Sequence, residues 1–309
     1  MKKKPVSVSA LKKEITIEIL AAFGLPKGDF WQSIAGSWLR KPTTRFSEIF
    51  AKLDQDVAEY GLTEAVTRML PNFVSKTKAF GAENVPAEGP LLVASNHPGT
   101  YDALSIVANA PRDDFKIIVG GMPFLKKLPI AGRHLIHSDR LNHNVRANVV
   151  RSSIRHLQEG GAVLIFPSGQ IDPDPAVLPG AIDALQKWSK SIAIMLRRAP
   201  DTRLLTAITS GVLHERFTRT PLTFLKPDGA SKRRIMEFIQ VLRQLIAGEE
   251  LGLIPQVTFD RPLSIHELTA SWDSEQLLNA IIERARLVLQ KHQTQLDLEQ
   301  GARITAHAN

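Results

Sequence analysis

From Gly81 onward the chain alternates short apolar runs with stretches of helical periodicity, and that alternation restricts its fold more than any other feature. Leu91-Leu92-Val93-Ala94, Lys116 to Val119, Ala162 to Phe166, Leu204 to Thr209 and Gln256 to Phe259 read as strands. Between them, Thr100 to Asn109, Asn144 to Gln158 and Pro179 to Arg197 read as helices. A closing helix runs from about Ser274 to Leu298, with Leu277, Ile281, Ala285 and Val288 on one face. Strands that are apolar throughout are buried on both faces, so this order specifies an α/β fold. A central, mostly parallel or mixed sheet, covered by helices on both faces, is expected.

The first third has a different texture. Leu11, Ile15, Ile19 and Phe23 recur at helical spacing, and a Gly-Leu-Pro-Lys-Gly stretch (Gly24 to Gly28) ends the pattern. After Pro42, Thr43 and Thr44 offer helix caps ahead of a stripe of Phe46, Ile49, Phe50, Leu53 and Val57. A shorter helix around Thr63 to Leu70 stops at Pro71. Residues 1–78 are thus expected to form an N-terminal helical bundle, and residues 79–309 the α/β unit with its C-terminal helix. Amphipathic stripes ordinarily face a core. An alternative is that part of this surface, with Trp31 and Trp38, lies on a membrane.

Composition narrows the chemistry. The 309 residues contain no cysteine, which removes disulfides, thiolate metal sites and cysteine nucleophiles. A formal charge of +8 favours anionic partners, but no nucleic-acid fold signature accompanies it. No stretch reaches the ~20 apolar residues that span a bilayer, and Lys12, Lys13, Glu14 and Glu18 interrupt any export signal. The expected location is cytoplasmic, with peripheral contact on the inner face of the membrane. His134, His137 and His143 fit no zinc spacing, and neither His214-Glu215 nor His266-Glu267 continues to a second histidine, so no metal site is expected. His156, His292 and His307 read as ordinary helix or tail residues.

The informative stretch is Ser95-Asn96-His97-Pro98-Gly99-Thr100-Tyr101-Asp102, where a buried strand gives way to a helix. Ligands of open α/β sheets bind beyond the carboxyl ends of strands. The Pro-Gly pair forces a turn, which puts His97 at the strand exit and Asp102 in the first helical turn. From there the carboxylate reaches back to one imidazole nitrogen, fixing the tautomer and leaving the other nitrogen as general base. The bland alternative is a turn histidine and an acid chosen for the helix dipole. There is no Gly-x-Ser-x-Gly elbow, no phosphate-binding Gly-x4-Gly-Lys-Ser/Thr loop and no dinucleotide fingerprint.

Asn96-His97 followed by Asp102 after an apolar strand resembles the signature of the phospholipid and glycerol acyltransferase family, which includes lysophosphatidate acyltransferases. Phe124-Leu125-Lys126-Lys127-Leu128-Pro129-Ile130-Ala131-Gly132, leading to Ile136-His137-Ser138-Asp139-Arg140, is similar to that family's second block. Leu164-Ile165-Phe166-Pro167-Ser168-Gly169-Gln170 resembles its third, and Phe259-Asp260-Arg261-Pro262-Leu263 closes the match weakly. The resemblance implies transfer of a fatty acyl group from acyl-CoA or acyl carrier protein to a hydroxyl of glycerol 3-phosphate or a lysophospholipid. It implies no further cofactor. His97 and Asp102 would be catalytic, Arg140 would hold the acceptor phosphate, and the Gly169 loop would shape the pocket. Thr100, Ser168, Lys126 and Arg133 complete the candidate substrate-binding set.

Two departures bear on the acceptor. Ser168 stands where the family has glutamate, and Leu205-Thr206-Ala207-Ile208 lacks the family's proline after that strand. Asp172 and Asp174 read as loop and turn acids in Asp-Pro steps, the alternative being that one supplies the missing carboxylate. Other readings are an acyltransferase acting on a non-glycerophosphate acceptor, such as an amino-lipid, and a catalytically silent lipid-binding homologue.

Overall fold

A computed structural model describes residues 6–22, 39–139, 142–220, 228–270 and 273–307. Seven strands form one mixed sheet in the order β1-β7-β6-β2-β5-β3-β4. They are β1 (Lys78–Phe80), β2 (Leu91–Ser95), β3 (Lys116–Gly120), β4 (Leu135–Ser138), β5 (Ala162–Ile165), β6 (Arg203–Ser210) and β7 (Gln256–Phe259). All neighbours are parallel except β6 and β7, which run antiparallel.

The apolar runs sort by period two into two cores. On one face Leu91, Val93, Leu164, Leu205 and Val257 pack with helices α1 (Val8–Ala22), α2 (Arg40–Tyr60), α3 (Leu62–Met69), α4 (Asp102–Ala108) and α8 (Gly229–Ala247). On the other, Leu92, Ala94, Val163, Ile165 and Leu204 meet α5 (His143–Gln158), α6 (Ala181–Leu185), α7 (Ser191–Arg198), α9 (Ile265–Leu268) and α10 (Ser274–His307). Burying one such side chain contributes roughly 1.5–3 kcal/mol, so a single-residue slip of any central strand would exchange the two cores at large cost.

Helices of the first third join the same core as the sheet: Leu11, Ile15, Ile19, Leu53, Val57, Ala65 and Val66 belong to it. Acids of these helices also hold the segment after β3. Asp54, buried, accepts the backbone N–H groups of Ile130 and Ala131 at 2.8 Å each. Glu18 accepts that of Phe124 at 2.7 Å, and burial pushes its carboxyl up to about 7. Phe46, Phe50 and Phe124 interlock with ring centroids 4.6–5.5 Å apart. Phe23, Trp31 and Trp38 lie outside the described residues, so the membrane reading of that surface finds no structural test. Among the described residues no helix is long and apolar enough to cross a membrane.

Several local expectations are corrected. Helix α2 begins at Arg40, two residues before Pro42, a first-turn position where the missing N–H is harmless. Thr43 is therefore not a cap, and its hydroxyl instead donates back to the carbonyl of Leu39. The helix expected over Pro179 to Arg197 is two helices. The chain breaks around buried Trp188 because Ser189 N–H donates to the carbonyl of Pro167, beside β5. Strands β1 and β4 and the 19-residue α8 are additional to the elements expected from the sequence. The closing helix continues to His307.

The connection leaving β2 passes through α4 on one face, whereas that leaving β5 passes through α6 and α7 on the other. These two central strands are neighbours, so the crevice beyond their carboxyl ends is a topological switch point, where open α/β sheets place ligands. Both the His97 turn and the loop after Ile165 emerge there.

Candidate active site

Strand β2 ends at Ser95, and Asn96 ties its exit to β6. The Asn96 amide donates to the Thr209 carbonyl, and its oxygen accepts the Thr209 N–H, both at 2.8 Å. His97 follows. Its Nδ1 donates to Asp102 Oδ2 across 2.7 Å, closing the Pro98-Gly99 turn as the spacing requires. Asp102 is 1% exposed and also accepts the N–H groups of Gly99 at 3.2 Å and Ala103 at 2.5 Å. These bonds fix its aim, a geometry in which the pair's far nitrogen, Nε2, is the one left for chemistry.

The imidazole stacks on Phe166 at 4.4 Å between centroids and keeps 27% of its side chain exposed. It is half-buried and not sealed in hydrocarbon. Two cavities of about 450 and about 300 Å³ lie elsewhere, along β4 and α5 and beneath the β6 exit, and neither includes His97 among its lining residues. What marks this site is its chemistry: a partly exposed imidazole oriented by a buried carboxylate.

Two further acids surround the ring. Asp172, 1% exposed, accepts the His97 backbone N–H and the Ser168 hydroxyl through Oδ2, both at 3.0 Å, and returns its own N–H to the His97 carbonyl at 2.7 Å. Its Oδ1 is buried without a hydrogen-bond partner, and burial raises its pKa despite these bonds and the charges of His97 and Arg233. Glu237, on α8, accepts the hydroxyl of Thr100. Burial pushes Glu237 up to about 7, against the Thr100 bond and the charge of His97. For His97 burial acts downward, but it is outweighed by the charge and hydrogen bond of Asp102 and the charges of Glu237 and Asp172. The ring is held up at about 9.

The other candidates divide. Ser168 is buried and bound to Asp172, and Gly169 follows it at φ 61°, exposed, in a left-handed conformation that suits glycine. Ser168 thereby reaches His97 through Asp172. Thr100 sits on the turn itself. Lys126 and Arg133 are exposed on the 123–134 segment, which packs on α1, α2 and the β3–β4 edge. Arg140 lies outside the described residues. Asp174 is a structural acid: fully buried, it accepts the N–H groups of Ala176, Gly211, Val212 and Leu213 at 2.9–3.0 Å, clamping the loop after β5 to the exit of β6. Asp172, by contrast, belongs to the His97 site, so reading both as plain turn acids is corrected for it. Among the described residues no cluster of three or more metal-ligating side chains forms.

Glu237 is the residue sequence reasoning missed. The face of α8 that docks on the site carries Arg233, Glu237, Gln240 and Gln244, so its inward stripe is polar and an apolar periodicity search passes over it.

A histidine–carboxylate pair at the switch point of an α/β sheet is an arrangement capable of general-base chemistry. Residues 76–209 match the family model described as Acyltransferase. Over that stretch, which holds the His97 and Ser168 motifs, the chain is similar to the acyltransferase family. A solved structure, the 1-acyl-sn-glycerophosphate (LPA) acyltransferase PlsC from Thermotoga maritima, is similar over 92% of this chain and 95% of its own. The two share 16% sequence identity, and the TM-score is 0.46. No curated protein matches the sequence.

Proposed function

We propose that the protein is an O-acyltransferase that moves a fatty acyl group from a thioester, acyl-CoA or acyl carrier protein, to a hydroxyl of a lysophospholipid or glycerol 3-phosphate. The observation that carries this reading is the 2.7 Å contact between His97 Nδ1 and a buried Asp102, in a histidine whose side chain remains 27% exposed.

In the proposed step Nε2 of neutral His97 takes the acceptor's hydroxyl proton while that oxygen attacks the thioester carbonyl carbon. A carbon–oxygen bond forms and the carbonyl becomes an oxyanion. Collapse of the intermediate breaks the carbon–sulfur bond, and the imidazolium returns its proton to the leaving thiolate. Asp102 stabilises that imidazolium and holds the ring's aim, and Phe166 shields one face of it. The thioester is already activated, so no enzyme nucleophile is needed, consistent with the residues present. Arg140 is the proposed ligand of an acceptor phosphate on the motif resemblance alone. The protein would act at the membrane surface, where lipid acceptors reside.

A base held at about 9 is mostly protonated at neutral pH, with roughly 1% in the neutral form near pH 7. The rate of transfer should therefore climb about tenfold per pH unit from 7 toward 9. The direct test is His97→Ala, assayed with radiolabelled acyl-CoA and a lysophosphatidate acceptor. Loss of a general base predicts a fall of about 100-fold or more. Undiminished transfer in that variant removes the mechanism.

A further inference from the structure

Helix α8 lies beyond the residues that match the acyltransferase family model, yet its polar stripe reads the His97 site from end to end. Arg233 Nε donates to the carbonyl of Ile171 at 2.7 Å, next to Asp172. One turn on, Glu237 accepts the Thr100 hydroxyl. Gln240 accepts the N–H of His214 at 2.7 Å and donates to the carbonyl of Val212 at 2.8 Å. Gln244 accepts the Tyr101 hydroxyl at 2.6 Å and donates to the carbonyl of Phe73 at 2.6 Å. A methyl group placed on Gly99 would stand 3.2 Å from Glu237 Oε1. The Glu237 carboxylate therefore rests directly against the Pro98–Gly99–Thr100 turn that joins His97 to Asp102.

We propose that Glu237 is a positioning residue for His97: through Thr100 it pins the turn, and its charge governs how firmly the imidazole keeps its proton. The inference rests on the reading of His97 as a base. The charged groups around the pair come from three elements. Asp102 of α4, Asp172 of the loop after β5 and Glu237 of α8 all act on the ring, and Phe166 stacks on it. Glu237 in turn faces Thr100, His97 and Asp102. The nearby cation, Arg233, acts on Asp172 and Asp228. Glu237 thus adds negative charge beside the turn that joins His97 to Asp102, and it does so from a helix anchored at four points to the turns around the site.

The experiment is a histidine titration of the full chain. With ¹³C-labelled histidine, the His97 ring signal is assigned by its loss in His97→Gln and followed from pH 5 to 10. In Glu237→Gln, which keeps the shape and an acceptor for Thr100, the His97 midpoint should fall by about one pH unit, as removal of a neighbouring opposite charge implies. Glu237→Asp, which retains the charge at a shorter reach, should move it by less. Coincident His97 curves in wild type and a folded Glu237→Gln overturn the proposal; if that variant does not fold, an unmoved midpoint in Glu237→Asp does the same. Acyl transfer by the wild type is measured separately. Its absence would remove the acyl-transfer reading, while the titration still decides whether Glu237 governs His97. Where transfer is present, the acidic limb of kcat/KM must shift with the titration; a change in KM alone would argue against the proposed role.

Discussion

Replacing Asp102 with asparagine isolates the contact on which the site depends, and its effect can be read without a substrate. In the wild type, burial pulls the His97 imidazole down, yet Asp102, with help from Glu237 and Asp172, holds it at about 9 against an ordinary 6.5. That gap of roughly 2.5 pH units corresponds to about 3.5 kcal/mol at ~1.4 kcal/mol per unit, and partial solvent exposure of the ring trims it to about 2. The folded value lies above the unfolded one, so the folded state binds this proton more tightly. The stabilisation is complete below about pH 6.5 and is lost as pH rises through about 9. In Asp102→Asn the ring loses that charge, burial is no longer outweighed, and most of this contribution disappears. Urea unfolding at pH 6 and pH 9.5 should therefore show the wild type losing about 2 kcal/mol more across that interval than the variant. Other groups that titrate there are common to both proteins and cancel in the difference. Equal losses in the two would refute the argument that Asp102 holds the imidazolium.

Three further outcomes are expected. Ser168→Glu removes the hydroxyl that donates to Asp172 and sets a second carboxylate against it, so stability should fall by about 1–3 kcal/mol; adding Asp172→Ser, which moves the carboxylate from one position to the other, should restore much of that loss in urea melts. His292 is fully buried between Thr258 and Ser210, at 2.8 and 2.7 Å, and burial lowers its pKa to about 4. Here the unfolded ring binds the proton first, so stability drops as pH falls from about 6.5 toward 4; His292→Gln should flatten that acid limb, and an unchanged limb would show that another group is responsible. Arg112 is buried, and it donates to the carbonyls of Pro86, Gly89 and Gly160 and to Asp114. Arg112→Met leaves those carbonyls without a donor and should cost about 2–4 kcal/mol in chemical denaturation; a variant as stable as the wild type would show that water takes over.

The strands of this protein were legible in its sequence because a strand buried on both faces must be apolar at every position. Leu91 to Ala94 and Ala162 to Ile165 show this most clearly. The pairing of His97 with Asp102 was legible for a related reason: a Pro-Gly turn between strand and helix leaves the intervening chain few paths, so local sequence fixes the distance between the two side chains. Short edge strands escaped notice. Strands β1 and β4 have only half-buried residues, so their patterns carry little apolar signal. What only the tertiary structure decided is the company His97 keeps. Asp172 reaches it because Asp174, two residues on, clamps that loop to the exit of β6. Glu237 reaches it from 140 residues away in sequence through a helix whose inward face is polar. Such contacts arise from long-range packing, with burial and neighbouring charge deciding the protonation of each group. No spacing along the chain encodes either of them.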